Sequence, residues 1–130
     1  MLVREIMTES VLTLTPETTL REASSSLATL GVSGAPVCDV RGKIVGVFSK
    51  SNVVDQVGNG LDLSQPIGLH MTPGAVTIEA SATVEAAAVT MSTEGVHRLI
   101  VTDNEKLVGL VSPMDILRAI ADGKLRLVDV

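Results

Sequence analysis

Aromatic and basic residues are both scarce in this sequence of 130 residues. It contains no Trp, no Tyr and one Phe, so Phe48 and the two histidines are the only rings on which single-stranded bases could stack. The sequence has ten Lys and Arg residues but fifteen Asp and Glu residues, and the resulting formal net charge of -5 repels a polyanion. These two shortages argue against nucleic acid as the main ligand.

Long apolar runs are missing as well. Hydrophobic residues make up 45% of the sequence, but no uninterrupted run approaches the roughly 18 residues of a membrane span. The opening segment, MLVREIMTES, has a Glu where a signal peptide needs its apolar stretch. The hydrophobic residues are spread along the chain instead, which predicts one compact domain. Because neither a membrane span nor a signal peptide is indicated, we expect this domain to be cytoplasmic and without a membrane contact.

Cysteine and histidine are too few for several kinds of site. The single Cys38 cannot form an internal disulfide, and no metal-ligand spacing joins it to the two histidines. The sequence supplies no nucleophile next to a base and no Gly-rich loop of the dinucleotide-binding type. We therefore expect no enzyme activity, no catalytic residues, no metal and no cofactor.

The sequence repeats itself at an offset of 64 residues. MTESVLTLTPETTLREA, from Met7, aligns with MTPGAVTIEASATVEAA, from Met71. The same offset places LGVSGAPVCD on EGVHRLIVTD, and after a one-residue deletion IVGVFSKSNVV aligns with LVGLVSPMDIL. The chain therefore consists of two copies of a unit of about 60 residues, which we place at residues 1–62 and 63–130.

Both copies predict the same order of secondary structure, β-α-β-β-α. An extended segment, VLTL or AVTI, leads into a helix with apolar residues at helical spacing, which Gly31 or Gly95 ends. Two apolar runs then predict a hairpin, and a second short helix closes the copy. The fold class is therefore mixed α/β, built of tandem repeats. Because neither copy alone buries enough apolar surface to offset its ordering entropy, we expect them to pack with pseudo-two-fold symmetry and to form two related clefts.

The segment SPMD, from Ser112 to Asp115, has the composition of a helix start. Ser stands at the N-cap, Pro at the first helical position and an acid at the third, where it can bond back to the cap. A helix start also presents free backbone N–H groups and the positive end of a dipole, which favour phosphate. A simple cap and a ligand site are therefore both open interpretations of this segment.

Four short motifs recur in the same order in the two copies: MT, GV after the first helix, VGV or VGL in the last strand, and Ser-x-x-Asp or Ser-x-x-Asn. Together they resemble a cystathionine beta-synthase (CBS) domain pair, often called a Bateman module, over essentially the whole chain. The resemblance implies a stand-alone regulatory sensor rather than an enzyme. Such a module binds an adenosine-containing ligand (AMP, ADP, ATP or S-adenosylmethionine) in an inter-repeat cleft.

The resemblance also implies partners. Family pairs commonly associate as two chains, so we expect a homodimer that relays ligand occupancy to a partner such as a regulated enzyme or transporter. A hypothesis of a different class is a ligand-free dimerisation or docking module whose clefts are vestigial. Titration with adenosine ligands separates the two hypotheses.

In the first cleft, the resemblance gives Ser112 a phosphate contact and gives Asp115 both ribose hydroxyls. A carboxylate can accept from two vicinal donors, and each charge-assisted bond of this kind contributes about 1.5–3 kcal/mol. The resemblance draws the rest of this ligand-binding site from loops of both copies: Thr15, Val32, Ser33, His97 and Arg98. For His97 a purely structural, hydrogen-bonded role is an equal alternative.

In the second cleft, the resemblance places Ser49 and Asn52 with Ile78, Val96 and His97. Lys50, which aligns with Pro113, is expected to attract a phosphate from the edge of this cleft. Asn52 replaces the acid and has one acceptor oxygen and no charge, so it cannot serve two hydroxyls equally well. Glu79 stands where the first cleft has Thr15 and adds a negative charge to a site for an anion. We therefore predict a weaker second cleft.

Overall fold

The computed structural model describes residues 1–9, 11–60 and 62–125, and they divide between two compact units. The continuous unit is Leu12–Ala75, and the split unit combines Met1–Val11 with Val76–Val130. The opening segment of each sequence copy thus packs with the body of the other copy. The predicted boundary between residues 62 and 63 describes the repeat along the sequence, whereas packing divides the chain near residues 11 and 75.

The continuous unit contains an antiparallel sheet of three strands, which lie side by side in the order in which they occur in the sequence. A short 3-10 helix, Ile67–Leu69, precedes the last strand. The elements are α1 (Leu20–Leu30), β1 (Gly34–Cys38), β2 (Ile44–Ser49), α2 (Lys50–Gly58) and β3 (Thr72–Pro73).

The split unit contains a sheet in the order β4-β5-β6, in which β4 runs parallel to β5 and β6 antiparallel to it. It begins with a 3-10 helix at Val3–Glu5. The other elements are β4 (Thr77–Glu79), α3 (Val84–Glu94), β5 (Leu99–Asp103), β6 (Lys106–Val111) and α4 (Pro113–Ala121). The predicted mixed α/β fold of tandem repeats is confirmed. One extended segment differs, because VLTL pairs with β1 through the single bridge of Leu14 to Val37, whereas AVTI contributes the strand β4.

The first helix of each unit begins and ends as the sequence predicts. Thr19 caps α1 by accepting from the N–H of Glu22, and the Glu22 carboxylate accepts from the N–H of Thr19 in return. Thr83 caps α3 through its hydroxyl alone. Gly31 and Gly95 end the two helices with φ of 65°, a left-handed conformation that glycine adopts without steric cost.

The continuous unit buries its apolar side chains between α1 and the sheet. Leu20, Ala23 and Leu27 cluster with Phe48 of β2 and with Ile67 of the 3-10 helix. Fully burying a side chain of this size contributes about 1.5–3 kcal/mol. Phe48 is fully buried, so the one Phe of the chain is unavailable for stacking on a base.

The split unit has an equivalent core to which its N-terminal segment contributes. Ala87 and Met91 of α3 cluster with Leu99 and Val111 of the sheet, and the fully buried Val3 completes the cluster. Val3 occupies the position that Ile67 has in the continuous unit. The first residues of the sequence are therefore part of the core of the second sequence copy.

The MT motif lies against the glycine of the neighbouring strand in both units. Thr8 exchanges two backbone hydrogen bonds with Leu110 of β6, at 2.8 and 2.9 Å. A Cβ on Gly109 would lie 2.7 Å from the carbonyl oxygen of Thr8, and a Cβ on Gly46 would lie 2.6 Å from that of Thr72. No side chain fits at such distances, so the VGV and VGL motifs carry glycine because the MT segment packs on them.

Candidate functional site

The carboxylate of Asp115 lies at the first turn of α4 and is 8% exposed. Its Oδ2 accepts hydrogen bonds from the backbone N–H of Ser112 at 2.8 Å and from the Ser112 hydroxyl at 3.1 Å. Its Oδ1 accepts from the hydroxyl of Thr8 at 3.3 Å. The predicted cap is thus present, and a residue from the start of the chain adds a third donor.

The hydrogen bonds of Asp115 leave it one acceptor position. A carboxylate has about four lone-pair positions, two on each oxygen. Ser112 occupies both positions of Oδ2, and Thr8 occupies one of Oδ1. The guanidinium of Arg118 lies 3.9 Å from Oδ1, but the Arg118 side chain is 70% exposed, so solvent screens this ion pair. One acceptor position on Oδ1 therefore stays open to a ligand.

Asn52 occupies the equivalent place in the continuous unit and leaves no acceptor position. Its Oδ1 accepts from the backbone N–H of Ser49 at 2.9 Å and from the Ser49 hydroxyl at 3.1 Å. An amide oxygen has two lone pairs, and both are used. The Nδ2 of Asn52 donates to the hydroxyl of Thr72 at 3.4 Å. Both lone pairs of the Asn52 amide oxygen are thus used within the chain.

A cavity of about 220 Å³ lies beside Asp115 within the split unit. One wall is the segment of residues 5–8, and the other is formed by Asp115 and Ala119 of α4 and by Asp122, which follows the helix. Arg118 and Lys124 contribute positive charge to the lining, and Glu5, Asp115 and Asp122 contribute negative charge. Asp115 and its hydrogen-bond partner Thr8 therefore both line this cavity.

The other residues predicted for the first cleft are divided between the units. Thr15, Val32 and Ser33 lie in the continuous unit and are exposed. His97 and Arg98 lie in the split unit, where His97 is exposed and Arg98 is half-buried. Burial lowers the pKa of the Arg98 guanidinium from its ordinary value, although a guanidinium stays protonated at neutral pH.

Loop hydrogen bonds fix two of these positions. The Thr15 hydroxyl pairs with the hydroxyl of Thr18 at 3.1 Å, and Thr18 also accepts from the N–H of Thr15. The carbonyl of Ser33 accepts from the N–H of Lys50 at 2.9 Å, so a first-cleft loop is bound to the start of α2. Thr15 and Ser33 therefore both lie on hydrogen-bonded turns of the continuous unit.

The other residues predicted for the second cleft lie at half-buried or exposed positions. Ile78 and Val96 are half-buried and pack against the core of the split unit. Lys50 is exposed at the start of α2. Glu79 accepts from the hydroxyl of Thr102 at 3.4 Å, so its negative charge is held beside β5.

Sequence reasoning missed two residues, Thr8 and Thr72. Both belong to the repeated MT motif, and the repetition was the available signal. The motif had no assigned role because its partners, Asp115 and Asn52, are 107 and 20 residues away along the chain. Only the exchange of opening segments between the copies brings these residues together.

Within the described ranges 1–9, 11–60 and 62–125, no group of three or more His, Cys, Asp or Glu residues could hold a metal ion. The helices described in those same ranges are all too short or too polar to cross a membrane.

Comparison with known families identifies the repeat. The model of the CBS domain matches the chain twice, over residues 3–59 and 66–122. The chain belongs to the CBS domain family. Each match covers most of one sequence copy, so the two copies are a tandem pair of CBS domains. The resemblance inferred from the four motifs is confirmed.

One curated relative of this CBS domain pair is the uncharacterized protein MJ1232 of Methanocaldococcus jannaschii. The two are 33% identical over 120 residues, which covers 92% of this chain and 39% of that protein. The chain spans about two fifths of the length of this relative and of a second one from the same organism.

Two solved structures share the fold of this CBS domain pair. CBSX2 in complex with AMP is 26% identical, with a TM-score of 0.85 and coverage of 95% of this chain and 98% of that one. The CBS domain protein PAE2072 from Pyrobaculum aerophilum, complexed with AMP, is 25% identical, with a TM-score of 0.84 and the same coverage. Both of these proteins bind AMP.

Proposed function

We propose that this CBS domain pair is a non-catalytic sensor that binds an adenosine-containing ligand at Asp115 and relays its occupancy to a partner protein. The observation that carries the proposal is the open acceptor position on a carboxylate that is otherwise buried and hydrogen-bonded. The AMP bound by CBSX2 and by PAE2072 supports the ligand class. A cytoplasmic location stays a prediction.

The proposed roles follow the chemistry of each side chain. Asp115 binds the ribose, and Ser112 at the start of α4 lies where backbone N–H groups favour a phosphate. Arg98 suits an anion, because a partly desolvated guanidinium makes stronger charge-assisted bonds than an exposed one. Thr15, Val32, Ser33 and His97 remain predicted contacts.

The two sites are proposed to be unequal. Asp115 has a charge and a remaining lone pair, whereas Asn52 has neither. A hydroxyl that approached Asn52 would have to displace a hydrogen bond from Ser49. We therefore expect one ligand per chain at moderate concentration.

Calorimetric titration with AMP, ADP, ATP and S-adenosylmethionine tests the proposal. At a ligand concentration of 100 times Kd the free energy of unfolding should rise by about 2.7 kcal/mol. Asp115→Ala should weaken binding at least tenfold, and Asn52→Ala should leave it unchanged. The two variants are matched, because each removes the side chain that bonds back to a capping serine. If none of the four ligands binds at millimolar concentration, the proposal is wrong.

A second candidate function is a dimerisation or docking module without a ligand. Exposed apolar side chains on the last helix of each unit favour it: Val54 and Val57 are 68% and 63% exposed, and Met114 and Leu117 are 52% and 58% exposed. Light scattering on the wild type, Val54→Glu and Leu117→Glu tests it. A dimer that both variants disrupt, in a chain that binds no adenosine ligand, would favour this candidate.

A further inference from the structure

The turn between β1 and β2 places two cations and an apolar side chain at the surface of the continuous unit. The Oδ1 atom of Asp39 accepts from the backbone N–H groups of Arg41 and Lys43, each at 2.9 Å. The carbonyl of Asp39 accepts from the N–H of Gly42, also at 2.9 Å. Val40 is 96% exposed, and Arg41 and Lys43 are exposed beside it. These hydrogen bonds hold the backbone of the turn, which we call the basic turn (residues 39–43).

The turn between β5 and β6, at the equivalent place in the split unit, has the opposite charge. Asp103 and Lys106 pair across the hairpin, and Asn104 and Glu105 connect them with φ of 50° and 68°. Left-handed values at both positions are typical of the tight two-residue turns of hairpins. All four residues of this acidic turn (residues 103–106) are exposed. Both turns begin with Asp and end with Lys, so the charge that distinguishes them is that of Arg41 against that of Glu105.

The distinguishing charges are not neutralised inside the described part of the chain. The ion pair found among the described residues joins Arg118 to Asp115, and the side chains of Arg41 and Glu105 take no part in a described hydrogen bond or ion pair. Both charges are therefore available to another molecule.

The order of the charges favours contact between unlike turns. When a basic turn meets an acidic turn in the antiparallel sense, three pairs of opposite charge face each other: Asp39 with Lys106, Arg41 with Glu105, and Lys43 with Asp103. Two basic turns would instead bring Arg41 against Arg41, and two acidic turns would bring Glu105 against Glu105. Like charges in contact are destabilising, so this pattern selects the unlike pair.

The charge of the whole chain makes this local pattern more important. At a formal net charge of -5 two copies repel each other at long range, so an attractive polar contact between them needs a local excess of positive charge. Arg41 and Lys43 supply such an excess. At about 0.1 M salt the Debye length is about 10 Å, so the repulsion between distant charges is screened more than the attraction of pairs in contact. A contact as small as two hairpin turns is weak and transient.

We propose that the basic turn of one chain binds the acidic turn of a second copy of the chain. The contact is separate from the adenosine site of the proposed function and from the exposed faces of α2 and α4. Each chain has one turn of each kind, so two reciprocal contacts close a dimer, and one-sided contacts build an open series of chains.

Sedimentation velocity of the full chain at millimolar concentration tests the proposal, in about 0.1 M and about 1 M salt. The wild type should associate, and more strongly at the lower salt concentration. Arg41→Glu and Glu105→Arg each place like charges in the central pair, so each should weaken the association about three- to tenfold. These variants shift the net charge in opposite directions, so a loss in both cannot result from net charge. The double variant Arg41→Glu/Glu105→Arg exchanges the charges and should restore the association.

Two further samples complete the design. A mixture of the two single variants should associate, because each then offers the charge that the other lacks. Arg21→Glu is the matched control, since Arg21 is exposed on α1 and its replacement changes the net charge as Arg41→Glu does. It should weaken the association less than twofold.

Circular dichroism checks that each variant is folded, and the neutral variants Arg41→Gln and Glu105→Gln provide the same comparison if a reversed charge prevents folding. A wild type that stays monomeric, or that forms only a dimer insensitive to salt, overturns the proposal. Association that Arg41→Glu leaves unchanged, or that the double variant does not recover, also overturns it. None of these outcomes depends on AMP, so the proposed function is tested separately.

Discussion

The split and continuous units hold equivalent threonines in opposite hydrogen-bonding roles. Thr8 donates to Asp115 at 3.3 Å, whereas Thr72 accepts from Asn52 at 3.4 Å. The backbone is similar in both, since each threonine carbonyl lies against the glycine of the adjacent strand. The exchange of one carboxylate oxygen for an amide nitrogen therefore reverses the bond and removes the acceptor positions, without any change in the fold.

The largest expected effect comes from adding a Cβ to the glycine that contacts the threonine carbonyl oxygen. Gly109→Ala and Gly46→Ala each place a Cβ within 3 Å of a backbone oxygen, so each should destabilise its unit by about 1–3 kcal/mol in urea unfolding. Only Gly109→Ala should weaken AMP binding, by tenfold or more, because it displaces Thr8 from Asp115. Equal loss of AMP affinity in both variants would contradict the difference between the units.

Exchanging the acid and the amide should exchange the properties of the two sites. Asn52→Asp leaves one lone pair of the new carboxylate open and allows Thr72 to donate, so titration should show a second AMP site per chain. Asp115→Asn should weaken the first site about tenfold, the equivalent of 1.4 kcal/mol. Retention of a single site in Asn52→Asp, or of full affinity in Asp115→Asn, would show that another feature distinguishes the units.

The first helices of the two units should differ in their dependence on the cap. Thr19→Ala and Thr83→Ala each remove a capping hydroxyl, at a cost of about 1 kcal/mol. Thr19→Ala should cost more, because Thr19 also bonds to the carboxylate of Glu22, whereas Ala86 stands at that position of α3. Denaturant unfolding of both variants measures the difference, and an equal or reversed order would contradict it.

The smallest expected effect is a pH dependence confined to α1. Hydrogen bonds from the hydroxyl and the N–H of Thr19 lower the pKa of Glu22. The stabilisation is fully present above the ordinary pKa of glutamate, about 4.3, and is lost as the pH falls through the lower folded value. The difference in unfolding midpoint between the wild type and Glu22→Gln should therefore shrink below about pH 4. A difference that stays constant down to pH 3 would exclude this contribution of Glu22.

Local signals predicted most of the secondary structure of both units. Gly31, Gly95 and the cap of α4 at Ser112 act over three or four residues, so spacing alone identifies them. The weaker pairing of the VLTL segment could not be predicted in this way. Its neighbour in the sheet is distant in sequence, and periodicity says nothing about how many bridges form.

The candidate site was predictable only in part. Asp115 and Asn52 stand out because the repeat aligns an acid with an amide. The role of Thr8 depends on which copy its segment packs against, and a repeat at constant offset is consistent with either arrangement. The residue types alone predicted a weaker second cleft, whereas the hydrogen bonds that Thr8 and Thr72 make at the two sites depend on that packing.

The split unit is built from two separate stretches of sequence, which affects the order in which the chain folds during synthesis. All of Leu12–Ala75 leaves the ribosome as one stretch, so the continuous unit can form while the rest is being made. The apolar side chain of Val3 cannot be buried until Leu99 and Val111, about a hundred residues later in the sequence, have been synthesised. Val3 therefore precedes the continuous unit along the sequence but is buried only after that unit has been made.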